Sequence, residues 1–188
     1  LARLSTVADS ASGNAARAEA VLVAFAARRA IERGLPLGVM ESQLRLRFGE
    51  TQPNAVDSIL DASARPVTQE QLQQRLDALR PVLLEDESAD WLTRVSRSLS
   101  TLIVIRSSGS PSERPNERLA RAQRAIAANR VDEAISEVKA MPGSSQPLAE
   151  AWLNDARRLN DARRALDLIE TAAILEPAEN RVGTGDAA

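Results

Sequence analysis

The residues of this 188-residue chain that could do chemistry are carboxylates and arginines, and their usual partners in catalysis are missing. Acidic side chains gather at Glu85, Asp86, Glu87 and Asp90, and basic ones at Arg28, Arg29 and Arg33, with Arg45 and Arg47 close behind. Two carboxylates can share general acid and base work. The chain, however, has no histidine, cysteine or tyrosine. That removes the common general base, thiolate ligands and nucleophiles, and any serine–histidine pair. The four acids stand just ahead of Trp91, Leu92, Val95 and Leu99, where a helix N-terminus favours negative charge, so they read as caps. Gly183-Thr184-Gly185-Asp186 follows no strand and makes no phosphate loop. The expectation is a protein that is not an enzyme, with no catalytic residue, no metal ligand and no cofactor.

The basic group is more informative. It closes an apolar run, Ala20 to Ala27, and precedes a stop at Gly34 and a restart at Pro36. This is the pattern of a helical hairpin with a basic corner, its arginines near the negative end of the first helix and glycine in the left-handed stop position. Two readings stay open. Val21, Leu22 and Phe25 could enter a lipid or partner surface while Arg28, Arg29 and Arg33 meet anionic groups. Alternatively the helix is core, because apolar residues almost encircle it, and the arginines only cap its end.

Composition sets the frame around that corner. A chain of this length buries roughly 70% of its unfolded surface, enough for a real core. With 44% apolar residues but only two Phe and two Trp, that core is built from Ala, Leu, Val and Ile, which lets helices approach closely. The formal net charge is −2, and Lys139 is the only lysine. A near-neutral chain without aromatic platforms is not expected to bind nucleic acid. The longest apolar run is far short of the roughly 20 residues that span a bilayer. Because the chain opens on Leu1, an upstream anchor is an expectation that the sequence leaves open.

Periodicity predicts an all-α fold, a bundle of about seven or eight helices. Residues 1–13 read as a flexible lead-in, with Ser12 or Asn14 capping the first helix. An N-terminal helical part covers 14–106. In it Pro36 opens a short helix through Leu37, Met40, Leu44 and Phe48, a second short face runs from Ala55 to Ala64, Thr68 and Gln71 form a capping box, and Pro81 ends the Leu72–Leu76–Leu79 stripe. Leu102 to Ile105 reads as helix giving way to extended chain. Residues 107–115, rich in Ser, Gly and Pro, form a linker or loop. The C-terminal helical part, 116–176, holds a tight pair (116–128 and 131–140) turned at Asn129-Arg130. A long helix from Pro147 to about Leu175 follows, laced by Arg157 with Asp161 and Arg163 with Asp167. Residues 177–188 read as a disordered tail. The tight pair looks like a tetratricopeptide unit, although no 34-residue period runs through the chain.

Taken in order, several motifs resemble the mitofilin family as found in alphaproteobacteria. They are Ala24 to Leu44 with its Gly34-Leu35-Pro36-Leu37 turn, Pro66-Val67-Thr68 before Leu72, Trp91 ahead of Leu102 to Arg106, and the pair Leu119 to Met141 followed by Trp152. The similarity runs from about Arg17 to Leu175. Leu37 departs from it, standing where an aromatic residue is expected. The resemblance implies a periplasmic domain of an inner-membrane protein held by an upstream transmembrane helix and coiled coil. It further implies a membrane-organising scaffold that self-associates as a homo-oligomer, binds an envelope protein partner and touches an anionic membrane surface. Lipid or partner contact would fall on Val21, Leu22, Phe25, Arg28, Arg29 and Arg33. The alternatives are a tetratricopeptide-like adaptor and an accessory domain of a heme-pathway membrane protein, whose pattern blurs into this one.

Overall fold

A computed structural model describes residues 2–84 and 114–175, with side chains from residue 11 onward. Among the described residues every regular element is helical: α1 (Ala2–Glu32), α2 (Met40–Phe48), α3 (Pro53–Ala64), α4 (Gln69–Ala78), α5 (Arg80–Leu84), α6 (Pro115–Ala127), α7 (Val131–Lys139), a 3-10 turn (Pro142–Ser145) and α8 (Pro147–Leu175). The expected all-α class, the tight pair and the long C-terminal helix are all present. The acidic group at 85–90, Trp91, the segment 102–106, the linker up to residue 113 and the tail from 177 lie outside the described residues.

The chain divides into two compact units, Leu1–Thr68 with Asp161–Ala188, and Gln69–Asn160. In the first, α1 packs on α2 and α3, and α2 on α3. Ala24, Ala27 and Ile31 of α1 are buried, as are Leu44 and Phe48 of α2 and Val56 and Ile59 of α3. α1 ends where the glycine signal put its end. Gly34 has φ +64, and its amide and that of Leu35 reach back to Ile31 (3.1 Å) and Ala30 (2.9 Å), closing the last turn with a left-handed residue. Leu37 is buried in the turn that follows. Its amide donates to the Ser63 hydroxyl at 2.9 Å, which satisfies a polar side chain buried in this unit's core.

Two boundaries differ from expectation. α1 begins at Ala2 rather than at a cap near Ser12 or Asn14. Ala2, Leu4, Ala8 and Ala11 favour helix, and Gly13 alone costs only about 1 kcal/mol. α2 begins at Met40 rather than at Pro36, because Gly38 sits at φ +56, outside helical space. α4 ends at Ala78, ahead of Pro81, as expected; Pro81 itself stands in the first turn of α5, where its missing N–H is tolerated.

In the second unit, α6 packs on α4, α5 and α7, and the 3-10 turn packs on α5. The α6–α7 turn is made by Asn129 at φ +62, with the Arg130 amide bonded to the Ala125 carbonyl at 2.9 Å. Leu119, Ala122 and Ile126 of α6 meet Val131, Ala134 and Val138 of α7, all buried. Glu137 clamps the outside of the pair, accepting from Arg121 Nε at 2.6 Å and Arg118 at 3.2 Å. Those guanidiniums, Arg121 foremost, hold its carboxyl below the usual carboxylate value. Trp152, from the first half of α8, is completely buried.

Candidate functional site

The basic corner resolves into two opposite faces because successive helical residues turn by about 100°. Ala20, Ala24, Ala27 and Ile31 form the inward stripe, half-buried at Ala20 and buried beyond it. Arg28 lies beside that stripe and turns to the C-terminal half of α8. Its Nε donates to Glu170 at 2.5 Å and one terminal nitrogen to Asp167 at 2.6 Å. The bond to Glu170 outweighs the cost of burial and raises the affinity of the guanidinium for its proton. Arg163, on the same side, is shifted the other way by burial, while Glu32 opposes that shift and Arg28 adds to it. Arg28 therefore ties α1 to α8, with its side chain 23% exposed.

Leu22 and Phe25 project from the opposite face, 67% and 54% exposed. Arg29 lies on that face and Arg33 just past its end, both exposed. Val21 is half-buried at the margin. The reading that the whole apolar run is core therefore fails at Leu22 and Phe25. One face of the helix is core, the other open within a single chain.

Arg45 and Arg47, the other members of the basic cluster, are spoken for to different degrees. Arg47 folds back onto α1, donating to the Glu19 carboxylate and, at 3.4 Å, to the Ala16 carbonyl. Arg45 is exposed, 3.9 Å from Asp57. Arg29 and Arg33 are left as the cations turned fully outward beside apolar side chains.

Sequence reasoning missed the open side of α8. Leu168 and Leu175 are exposed, seven residues apart and opposite the buried stripe of Ala162, Leu166, Ile169 and Ala173. That seven-residue step was the available signal. On this helix Asp167 accepts from Arg28, and Arg157 donates to Asn154 at 3.0 Å. Among the described residues no helix is long and apolar enough to cross a membrane, and no group of acids could hold a metal ion.

These features define a class: an all-α protein of alanine- and leucine-packed helices that presents an apolar and basic helix face. Residues 94–174 match the mitofilin family, described as "Mitochondrial inner membrane protein". The mitofilin resemblance therefore holds, in the segment that contains α6, α7 and most of α8. The match is narrower than the span from Arg17, so the α1 corner stands on its own residues. Among curated proteins, the chain is similar to the MICOS complex subunit MIC60 of two strains of Paracoccidioides brasiliensis, 30% identical over 98 residues, or 52% of this chain and 14% of the relative. The same subunit of Uncinocarpus reesii is 30% identical over 98 residues, or 52% of this chain and 15% of the relative. This chain thus spans a small fraction of the length of the relatives it matches. No solved structure matches it.

Proposed function

We propose that the chain is the non-enzymatic, membrane-organising part of an inner-membrane protein, acting on the periplasmic side as a scaffold that self-associates and binds an envelope protein partner. The observation that carries this reading is the mitofilin match over residues 94–174, to a family described as an inner-membrane protein. The similar relatives are subunits of a complex, which supports action through protein partners rather than through chemistry. The corner of α1 adds the membrane side of the proposal. Arg29 and Arg33, exposed beside Phe25, suit an anionic surface, where each basic residue contributes about 1 kcal/mol.

Co-sedimentation with vesicles containing anionic lipid tests that contact. The informative variant is Arg29→Glu with Arg33→Glu, because reversing Arg28 would break its bonds to Asp167 and Glu170 and confound binding with folding. The wild type pellets and the double variant does not, and the wild type's pelleting weakens with salt. Equal pelleting of the two, or none by the wild type, contradicts membrane contact at this corner.

A further inference from the structure

α1 buries small side chains and displays large ones. Ala24 and Ala27 are fully buried, while Leu22 and Phe25 stand out in solvent. Apolar burial alone favours the reverse, since Phe25 would remove more area from water than Ala24 does. Successive residues turn by about 100°, so Phe25 lies about 100° round the helix from Ala24, with Arg28 at about 40°, Val21 at about 60° and Glu32 at about 80° between them. Rolling α1 far enough to bring Phe25 inward would therefore carry Arg28 and Glu32 inward first. The C-terminal half of α8 holds the counterparts of these two charges. Arg28 donates to the two Glu170 oxygens at 2.5 and 2.9 Å and to Asp167 at 2.6 Å. Arg163, one turn earlier on α8, feels the charge of Glu32. Higher numbers on α1 thus meet lower ones on α8, so the two helices run antiparallel, with each α1 charge near its complement.

We infer that this ion cluster is a roll stop: it holds α1 in the rotation that displays Phe25, and without it α1 turns to bury that side chain. The reason is the cost of the alternative. In the displayed rotation Arg28 keeps its three charge-assisted hydrogen bonds at the margin of the core. In the withdrawn one its guanidinium and the Glu32 carboxylate would point among aliphatic side chains, where an unpaired charge is strongly disfavoured. Glu170, itself only 21% exposed, would lose its partner. Polar groups so placed choose between packings of similar apolar content, as one buried asparagine fixes the register of a coiled coil. Close packing through Ala24 and Ala27 resists the turn as well, because the helix must move outward to admit a phenyl ring. The two causes make different predictions once the charges are removed. The stop goes beyond the membrane-organising reading and does not depend on it.

The chain has two phenylalanines, so fluorophenylalanine labelling gives two fluorine resonances, exposed Phe25 and buried Phe48, the second an internal control for folding. In the wild type a soluble paramagnetic agent broadens the Phe25 signal and spares Phe48. Arg28→Met with Glu32→Gln and Glu170→Gln removes the charges with side chains of similar length. In that variant the broadening of Phe25 falls about tenfold, as expected when the withdrawn rotation dominates, and Phe48 stays protected. Exchanging the pair, Arg28→Glu with Glu170→Arg, returns Phe25 to solvent. Equal broadening of Phe25 in the wild type and the charge-free variant overturns the inference and leaves close packing as the cause. So does an exchanged variant in which Phe25 is protected. Broadening of Phe48 marks an unfolded variant, and the milder Glu170→Gln alone then decides: partial protection of Phe25 supports the stop, and none overturns it. No vesicle or partner enters the experiment, so failure of the stop and failure of the membrane contact are told apart.

Discussion

The indole N–H of Trp152 donates to the carbonyl oxygen of Leu72 at 2.8 Å, and both side chains are completely buried. The bond ties the beginning of the long helix to the middle of α4. Around it, Arg75 donates to Asp155 at 2.6 Å, and the Gln69 amide donates to the Ile126 carbonyl at the end of α6 at 2.7 Å. Trp152 thus anchors this part of the second unit, where the other described buried side chains are aliphatic.

Trp152→Phe removes that hydrogen bond and leaves a small void, and is expected to cost about 1–3 kcal/mol. Trp152→Ala is expected to cost about 3–5 kcal/mol. Urea unfolding followed by helical circular dichroism measures both. A phenylalanine variant as stable as the wild type would show that the indole N–H contributes nothing.

Gly143 is required by space rather than by φ. A Cβ added there would lie 1.8 Å from the Val82 carbonyl oxygen, which is backbone and cannot step aside as a flexible side chain would. Gly143→Ala is expected to destabilise the chain by about 1–3 kcal/mol or more. Thermal unfolding reads the effect, with exposed Ser145→Ala as a near-neutral control.

Arg28 and Arg29 are neighbours in sequence with opposite fates. Arg28→Ala leaves Glu170, whose side chain is 21% exposed, without its partner, and is expected to cost about 1–3 kcal/mol. Arg29→Ala is expected to change stability by no more than about 0.5 kcal/mol. Denaturant midpoints of the two variants, measured side by side, check the assignment. Equal effects would place both arginines on the same kind of surface.

The carboxyl of Glu137 is held below its ordinary value of 4.5 by Arg121 and Arg118. A lowered folded pKa means that its contribution to stability is fully present above the unfolded value and is lost as pH falls through the folded one. Glu137→Gln is therefore expected to be less stable than the wild type at neutral pH, with the difference shrinking as pH drops below about 4. Unfolding midpoints at a series of pH values measure this. A difference that stays constant with pH would remove the charge from the explanation.

Much of the fold was legible because it rests on local signals. Gly34 and Asn129 announce left-handed helix ends, and the stripe from Trp152 to Ala173 marks α8 by its period alone. Boundaries set by the absence of a signal were harder. Nothing in Ala2 to Ala11 forbids helix, so α1 runs through a stretch with no start to read, and a left-handed φ at Gly38 was not foreseen beside the better-known cue of Pro36. The corner was legible as a cluster but not as two faces. Arg28 and Arg29 differ only by 100° of rotation, and what separates them is the presence of Asp167 and Glu170 far along the chain.

The most direct test of the account is the shape of the inner membrane in cells whose gene lacks the segment coding for residues 115–175, viewed by electron cryo-tomography at matched expression. The account predicts membrane contours that differ from those of cells with the intact gene, and that return when the segment is restored. Identical contours in both would contradict a membrane-organising role.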